Sequence, residues 1–323
     1  MSFQIDTQTL NDLSVFGTGR TKTVYEIFNR VKTHGGTKLL EEMFRYPLSD
    51  MKAIQKRVDT IRYYGVNQMK FPFQPSLFDA VEFYLDNTDS RSQLMAQDNT
   101  LERRIKSWIV SDSEYSWIHA GIVGCLELLN TLDDFLKQVK DEADENVVEL
   151  NATLETLLHN EKWNWFSSEK GKKKISFERA VEYDKVLRFE ENDRIHKILY
   201  QIYQMDVYTS VAQVANECGF SYPKVCPTEQ NILNMKGVFH PFLAKPVSNT
   251  LSVNKDSNVI FLTGANMAGK STFMKSISIA VYLAHMGFPV PAEELEFSVY
   301  EGMFTTINLP DNLNMGYSHF YSE

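Results

Sequence analysis

Several features that this 323-residue chain lacks bound its function before any motif is read. Its three cysteines, Cys125, Cys218 and Cys226, are scattered with no CxxC spacing, which excludes a disulfide framework and a cysteine-based zinc site. No apolar run reaches the roughly 18–20 residues that a membrane-crossing helix needs. The first thirty residues have neither the basic start nor the long apolar core of a secretory leader. The expected address is therefore the cytoplasm, with no membrane partner. Positive charge is in deficit, 33 Lys and Arg against 42 Asp and Glu for a net charge of -9. Nonspecific affinity for nucleic acid comes from dense Lys and Arg, so any contact with DNA has to be local.

Strand-like alternation is also scarce, and from residue 21 to about 220 the dominant pattern is helical. Val24, Ile27, Phe28 and Val31 form one apolar stripe, and Leu39, Leu40, Met43 and Phe44 form another before Pro47. Ser49 is the expected N-cap of a third helix, with Asp50 at the positive end of its dipole and Ile54, Val58 and Ile61 on one face. From about 118 to 160, Cys125, Leu129, Leu132, Leu136 and Val139 are spaced as in a seam of helices packed lengthwise. The opposite face carries Asp133, Asp134, Asp141, Glu142, Asp144 and Glu145, a solvated acidic surface.

Trp163, Trp165 and Phe166 then stand beside Lys170, Lys172, Lys173 and Lys174. Rings and ammonium groups together can hold a strand of nucleic acid; the blander alternative is a tryptophan anchor followed by a solvated turn. A second helical run follows, with Ile195, Ile198, Leu199, Ile202 and Met205 inward. Two helical passages joined by a basic tip predict a protruding antiparallel pair near 100–200. Pro223 and Pro227 break the pattern and divide the chain into a helical domain, 1–222, and a second domain, 223–323. There Val259-Ile260-Phe261-Leu262 predicts a strand buried on both faces of an α/β sheet, followed by a helix ending near Gly287. The fold class expected is mainly α, with a partial α/β domain after the helical one.

Between that strand and that helix lies Gly264-Ala265-Asn266-Met267-Ala268-Gly269-Lys270-Ser271-Thr272, which fits G-x-x-x-x-G-K-[ST]. Glycines let the backbone curl so that successive N–H groups face phosphate oxygens. Lys270 is placed to reach the β- and γ-phosphates, Ser271 to ligate Mg²⁺, and the helix aims its positive end at the anion. A chance match in a chain of this length has odds on the order of one in a hundred, and the strand–loop–helix context lowers them. The expected ligands are ATP and Mg²⁺.

The Asn266-Met267 pair narrows the class. The loop resembles the G-P-N-M-x-G-K-S-T loop of the MutS family of DNA mismatch-repair ATPases. Val290-Pro291-Ala292, Met303-Phe304-Thr305-Thr306-Ile307 and Gly316-Tyr317-Ser318-His319-Phe320-Tyr321-Ser322-Glu323 resemble later segments of that family, with His319 where the family has threonine. Upstream, His240-Pro241, Asp206-Val207, Thr37-Lys38-Leu39-Leu40 and Tyr46-Pro47-Leu48 echo its core. The resemblance implies a MutS-like core and lever followed by the start of an ABC-type P-loop ATPase. It also implies a homodimer formed through the ATPase domain, in which Ser318 reaches the γ-phosphate held by the partner.

Departures from the family pattern shape the functional expectation. The chain opens on core helices without the family's intercalating mismatch reader. Between the lever passages only Lys170, Lys172, Lys173 and Lys174 remain to contact phosphates. It ends before the strand that brings an Asp for Mg²⁺ and a Glu for the attacking water, so it is expected to be part of a longer protein and to bind ATP without efficient hydrolysis. No aromatic stands near Pro246-Val247-Ser248-Asn249 to stack on adenine. The expectation is a MutS-like ATP-binding protein, a DNA-dependent ATPase when whole, acting on DNA in repair or recombination without reading mismatches. The alternative is a nucleotide-switched, dimerising interaction protein that does not bind DNA.

Overall fold

A computed structural model of the chain describes residues 3–17, 22–95, 113–139, 144–172 and 174–307. In chain order the elements are β1 (Gln4–Ile5), α1 (Thr7–Asp12), α2 (Val24–Phe28), α3 (His34–Arg45), α4 (Met51–Val66), α5 (Ser76–Asp86), α6 (Ser113–Leu136), α7 (Glu145–Leu158), α8 (Phe177–Asp184), α9 (Asn192–Cys218), β2 (Lys224–Cys226), β3 (Leu233–Val238), β4 (Asn249–Val253), α10 (Lys270–His285), β5 (Glu294–Ser298) and β6 (Gly302–Met303). A π-helical turn covers Lys185–Glu190. The protein is thus mainly α with small sheets. No described helix is long and apolar enough to cross a membrane.

Two compact units interleave in sequence. One consists of Met1–Val31, Thr37–Met69 and Val207–Glu323, and the other of Lys32–Gly36 and Lys70–Asp206. The proline boundary at 222/223 follows composition, whereas these units follow packing.

In the first unit the apolar stripes read from the sequence become the core. Leu40, Phe44, Ile54, Val58 and Ile61 are fully buried. Helix α4 starts one residue later than expected: Asp50, not Ser49, is the cap, its Oδ1 accepting the Ala53 N–H at 2.8 Å. A carboxylate there both satisfies an open N–H and meets the positive helix end. Phe288 packs on Phe28 and Phe44 with ring centroids 5.4 and 5.8 Å apart. The stop of α10 delivers it there. Gly287 takes φ +69°, its N–H bonds to the Ala284 carbonyl, and the Phe288 N–H reaches back to the Leu283 carbonyl, the hydrogen-bond pattern of a Schellman end. The main sheet has strand order β2-β5-β3-β4, with β2 parallel to β5 and the other pairs antiparallel.

In the second unit α5 and α6 approach closely because Gly121 faces Tyr84; a Cβ there would lie 2.2 Å from the ring. Below that contact is a buried polar network. The Tyr84 hydroxyl donates to Asp184 at 3.0 Å, and fully buried Arg188 donates to the same carboxylate at 2.8 Å. Arg188 also donates to the carbonyls of Asn87 and Ser92. At the start of α3, Asp206 accepts from the N–H groups of Lys32 and Thr33 and from the Thr33 hydroxyl, while Thr33 caps the Gly36 N–H.

Two expectations are corrected. Val259-Ile260-Phe261-Leu262 is not a buried strand: it is irregular, with Phe261 91% and Val259 82% exposed. An apolar run is buried as a strand only when neighbours complete its ladder and cover its faces. Among the described residues none pairs with 259–262. In the passage expected over 118–160, α6 ends at Leu136 and α7 begins at Glu145, and α8 and the π-helical turn stand between Lys174 and α9. The basic segment is therefore not a tip joining two long helices.

Candidate functional site

The glycine loop curls tightly although no strand precedes it among the described residues. Gly264 has φ +156°, Met267 +66° and Gly269 +90°. Gly269 is the N-cap of α10, and its carbonyl accepts the Phe273 N–H at 2.9 Å. The Ala268 N–H closes a turn onto the Ala265 carbonyl at 3.2 Å. Lys270 arches over this turn, its Nζ donating to the carbonyls of Gly264 at 2.7 Å and Ala265 at 2.8 Å. Left-handed residues interleaved with turn residues direct backbone N–H groups into one concavity, and the 16-residue helix α10 adds the positive end of its dipole.

The loop forms one wall of a cavity of about 420 Å³, within the range of small-ligand sites. Its lining includes Ala268, Gly269, Lys270 and Thr272 from the loop and helix start and His240, Leu243, Val247 and Asn249 from the segment before it. Ser271 is exposed on the first turn of α10, Thr272 is half-buried, and Asn266 and Met267 are exposed at the turn's outer side. A triphosphate fits this donor set: a concave run of N–H groups, one mobile ammonium and a helix start. For Mg²⁺ the candidate ligand is the Ser271 hydroxyl on the first turn of α10, and no cluster of three or more His, Cys, Asp or Glu that could hold a metal ion occurs among the described residues. His240, Leu243 and Phe273 also line the cavity, and the spacing of the sequence assigns them no role there because it shows the loop and not what else reaches its cavity. Burial, with Lys275 nearby, lowers the His240 pKa, so its ring is neutral at pH 7. The Phe242 N–H approaches its Nδ1 at 3.4 Å.

The second group of sequence-predicted residues lies in the other unit. Trp163 is buried, stacked on Trp165 at 5.3 Å, and Trp165 stacks on Tyr183 at 3.8 Å. Trp163 and Tyr183 are buried and Trp165 is half-buried between them, an aromatic anchor rather than an open stacking surface. Lys170 pairs with Asp134 on α6, and Lys172 with buried Glu169 at 3.2 Å, a carboxylate that Arg179 also contacts. Lys174 is exposed. Lys173 and Ser318 lie outside the described residues. Cys125, in the core, has its thiol pKa pushed up by burial and is chemically quiet.

Two stretches of the chain match models of known protein families. Residues 8–212 match MutS domain III and residues 260–323 match MutS domain V. The DNA mismatch repair protein MutS of Petrotoga mobilis is 24% identical over 99% of this chain and 50% of its own length. That of Clostridioides difficile is 31% identical over 58% of this chain and 19% of its own, and that of Leuconostoc mesenteroides 35% identical over 40% and 16%. The chain thus aligns with half or less of the length of these relatives.

Proposed function

The chain belongs to the MutS family, and from that premise we propose that it is a nucleoside-triphosphate-binding member acting in DNA repair or recombination. The observation that carries the binding reading is the loop itself: Gly264–Thr272 curls with left-handed residues at Met267 and Gly269, opens α10, and lays the Lys270 ammonium over its own carbonyls. Lys270 exchanges those carbonyls for β- and γ-phosphate oxygens, and backbone N–H groups of the loop and first helical turn hold the rest of the triphosphate. Ser271 holds Mg²⁺, which neutralises phosphate charge when bound. Equilibrium calorimetry tests it: the Lys270→Ala chain should show no measurable MgATP binding, and unchanged affinity would sink the assignment.

By family resemblance the unit that carries the loop mediates a homodimer, with Ser318 supplied across it, and the whole protein is a DNA-dependent ATPase in the cytoplasm. A second reading, a nucleotide-switched interaction protein that does not hold DNA, gains support from one feature of the basic segment. Lys170 and Lys172 are already paired with Asp134 and Glu169, and of the neighbouring tryptophans Trp163 is buried and Trp165 half-buried against Trp163 and Tyr183. Electrophoretic shift on branched DNA at low salt separates the two. Retardation that weakens with Lys174→Glu supports the DNA arm, and no retardation at any salt supports the protein partner.

A further inference from the structure

In the second unit, α6 and α7 contribute to the walls of a groove of about 830 Å³, at the upper end of the range for binding cavities. Its apolar lining comes from Leu136 at the end of α6, from Val147, Val148, Leu154 and Leu158 on α7, and from Trp163 and Phe166. Along α7 the lining runs from Val147 to Leu158, a length of about 16 Å or about three helical turns. Val148 is 54% exposed there, so the groove offers apolar contact to solvent. The Trp163 Nε1–H is buried and has no hydrogen-bond partner among the described residues, a second sign that the lining is unfinished.

Charge gives the occupant its sign. Glu127, Asp133 and Asp134 stand on α6 and Glu145, Glu149 and Glu155 on α7, and neither helix contains a Lys or Arg. The two lysines in the lining do not reverse this, because Lys137 pairs with Asp133 at 2.5 Å and Lys170 with Asp134. Glu155, also in the lining, accepts the Asn151 amide at 2.9 Å and has no basic partner among the described residues. Walls of this sign repel a phosphate backbone, so the groove suits a protein and not a nucleic acid. We propose that it receives one amphipathic helix of a partner protein, about three turns long, with an apolar ridge facing the lining and Lys or Arg along its flanks. The proposal stands apart from the nucleotide loop, which belongs to the other unit. A helix laid along α7 presents residues i, i+4, i+7 and i+11, and the lining answers at the same spacing with Val147, Leu154 and Leu158. The apolar ridge supplies most of the affinity. Flanking Lys or Arg opposite Glu155 selects the partner and speeds its approach.

The test is fluorescence anisotropy on the 323-residue chain with labelled peptides of about 18 residues, Leu on one helical face and either Lys or Glu on the other. The Lys peptide should bind with a Kd below about 50 μM at about 150 mM salt, and the Glu peptide at least about 20-fold more weakly. Val148→Ser removes apolar area and no charge, and should weaken the Lys peptide by about 3-fold or more. Glu155→Lys should weaken it by about 5-fold or more, whereas Glu229→Lys, the same charge change at an exposed site of the other unit, should leave it within about 2-fold. Val148 and Glu155 are exposed, so neither variant disturbs the core. A Lys peptide that does not bind overturns the proposal, as does a Val148→Ser chain that binds it as tightly as wild type. Equal weakening by Glu155→Lys and Glu229→Lys, or equal affinity for the Glu peptide, would reduce the binding to general charge attraction and overturn it as well. Self-association in sedimentation equilibrium that Val148→Ser abolishes would make a second copy of the chain the occupant, against the proposal.

Discussion

His285 is fully buried among Phe3, Phe297 and Tyr300, the Phe3 ring lying 4.3 Å away. Its Nδ1–H donates to the Leu48 carbonyl at 3.0 Å, and the Tyr300 N–H approaches Nε2 at 3.3 Å. Burial lowers its pKa to about 4 from an ordinary value near 6.5, against a smaller opposing effect of the Leu48 carbonyl. The depressed value fixes the sign of its contribution to stability. Above pH 6.5 the ring is neutral folded and unfolded. Between 6.5 and 4 only the unfolded chain takes up the proton, so stability falls with pH by up to about 3 kcal/mol. Urea titrations at pH 7, 5.5 and 4.5 should show this loss, and His285→Gln should flatten it; parallel pH slopes in the two proteins would refute the assignment. Asp206 gives a prediction of a different kind. It satisfies the N–H groups of Lys32 and Thr33 and the Thr33 hydroxyl. Asp206→Ala leaves these donors without their acceptor and should lower the urea-derived stability by about 2–4 kcal/mol, and Asp206→Asn, which keeps an acceptor, by less.

At the scale of the element, α10 is set by a glycine at each end with different duties. Gly269 holds φ +90° in open space, so only its backbone conformation matters there; Gly287 holds φ +69° with a would-be Cβ 3.0 Å from Arg57 and 3.1 Å from the Ile54 carbonyl. Gly287→Ala should therefore cost about 1–3 kcal/mol of stability and leave nucleotide affinity unchanged. Gly269→Ala should do the reverse, weakening MgATP by more than about tenfold with under about 1.5 kcal/mol lost. Calorimetry and thermal melts on both variants check the contrast. These two glycines were also legible in the sequence, because the loop motif and the helix stop are local devices written in consecutive residues. So was the apolar face of α4, whose period alone picks out Ile54, Val58 and Ile61. Val259–Leu262 was misread for the opposite reason: hydrophobicity states that a run could be buried, and only partner strands bury it. The Asp184–Arg188 pair reads as an ordinary i,i+4 surface bridge until Tyr84 and the carbonyls of Asn87 and Ser92 enclose it. His240 joins the cavity through the path of the chain between β3 and β4, which no spacing rule encodes.

For the whole molecule, the consequence of interest is how far nucleotide binding is felt from the loop. Within the unit that carries the loop, the far end of α10 is tied to residues from the beginning of the chain. Tyr282 donates to the Phe44 carbonyl, the Leu48 N–H to the His285 carbonyl at 2.9 Å, and Arg57 to the Met286 carbonyl at 2.9 Å. A ligand that binds only the folded form stabilises it by about 2.7 kcal/mol at a hundred times its dissociation constant. Because α4 is packed and hydrogen-bonded to the end of α10, opening α4 disturbs the helix on which the ligand rests. MgATP at that concentration should therefore slow amide exchange across Met51–Val66, not only in Lys270–His285, by up to about a hundredfold for amides that exchange through unfolding of this unit. In Lys270→Ala the slowing should vanish from both helices together. Protection gained in α10 while α4 exchanges as before would mean that the two helices open separately, and that the hydrogen bonds at Phe44, Leu48 and Arg57 do not couple them.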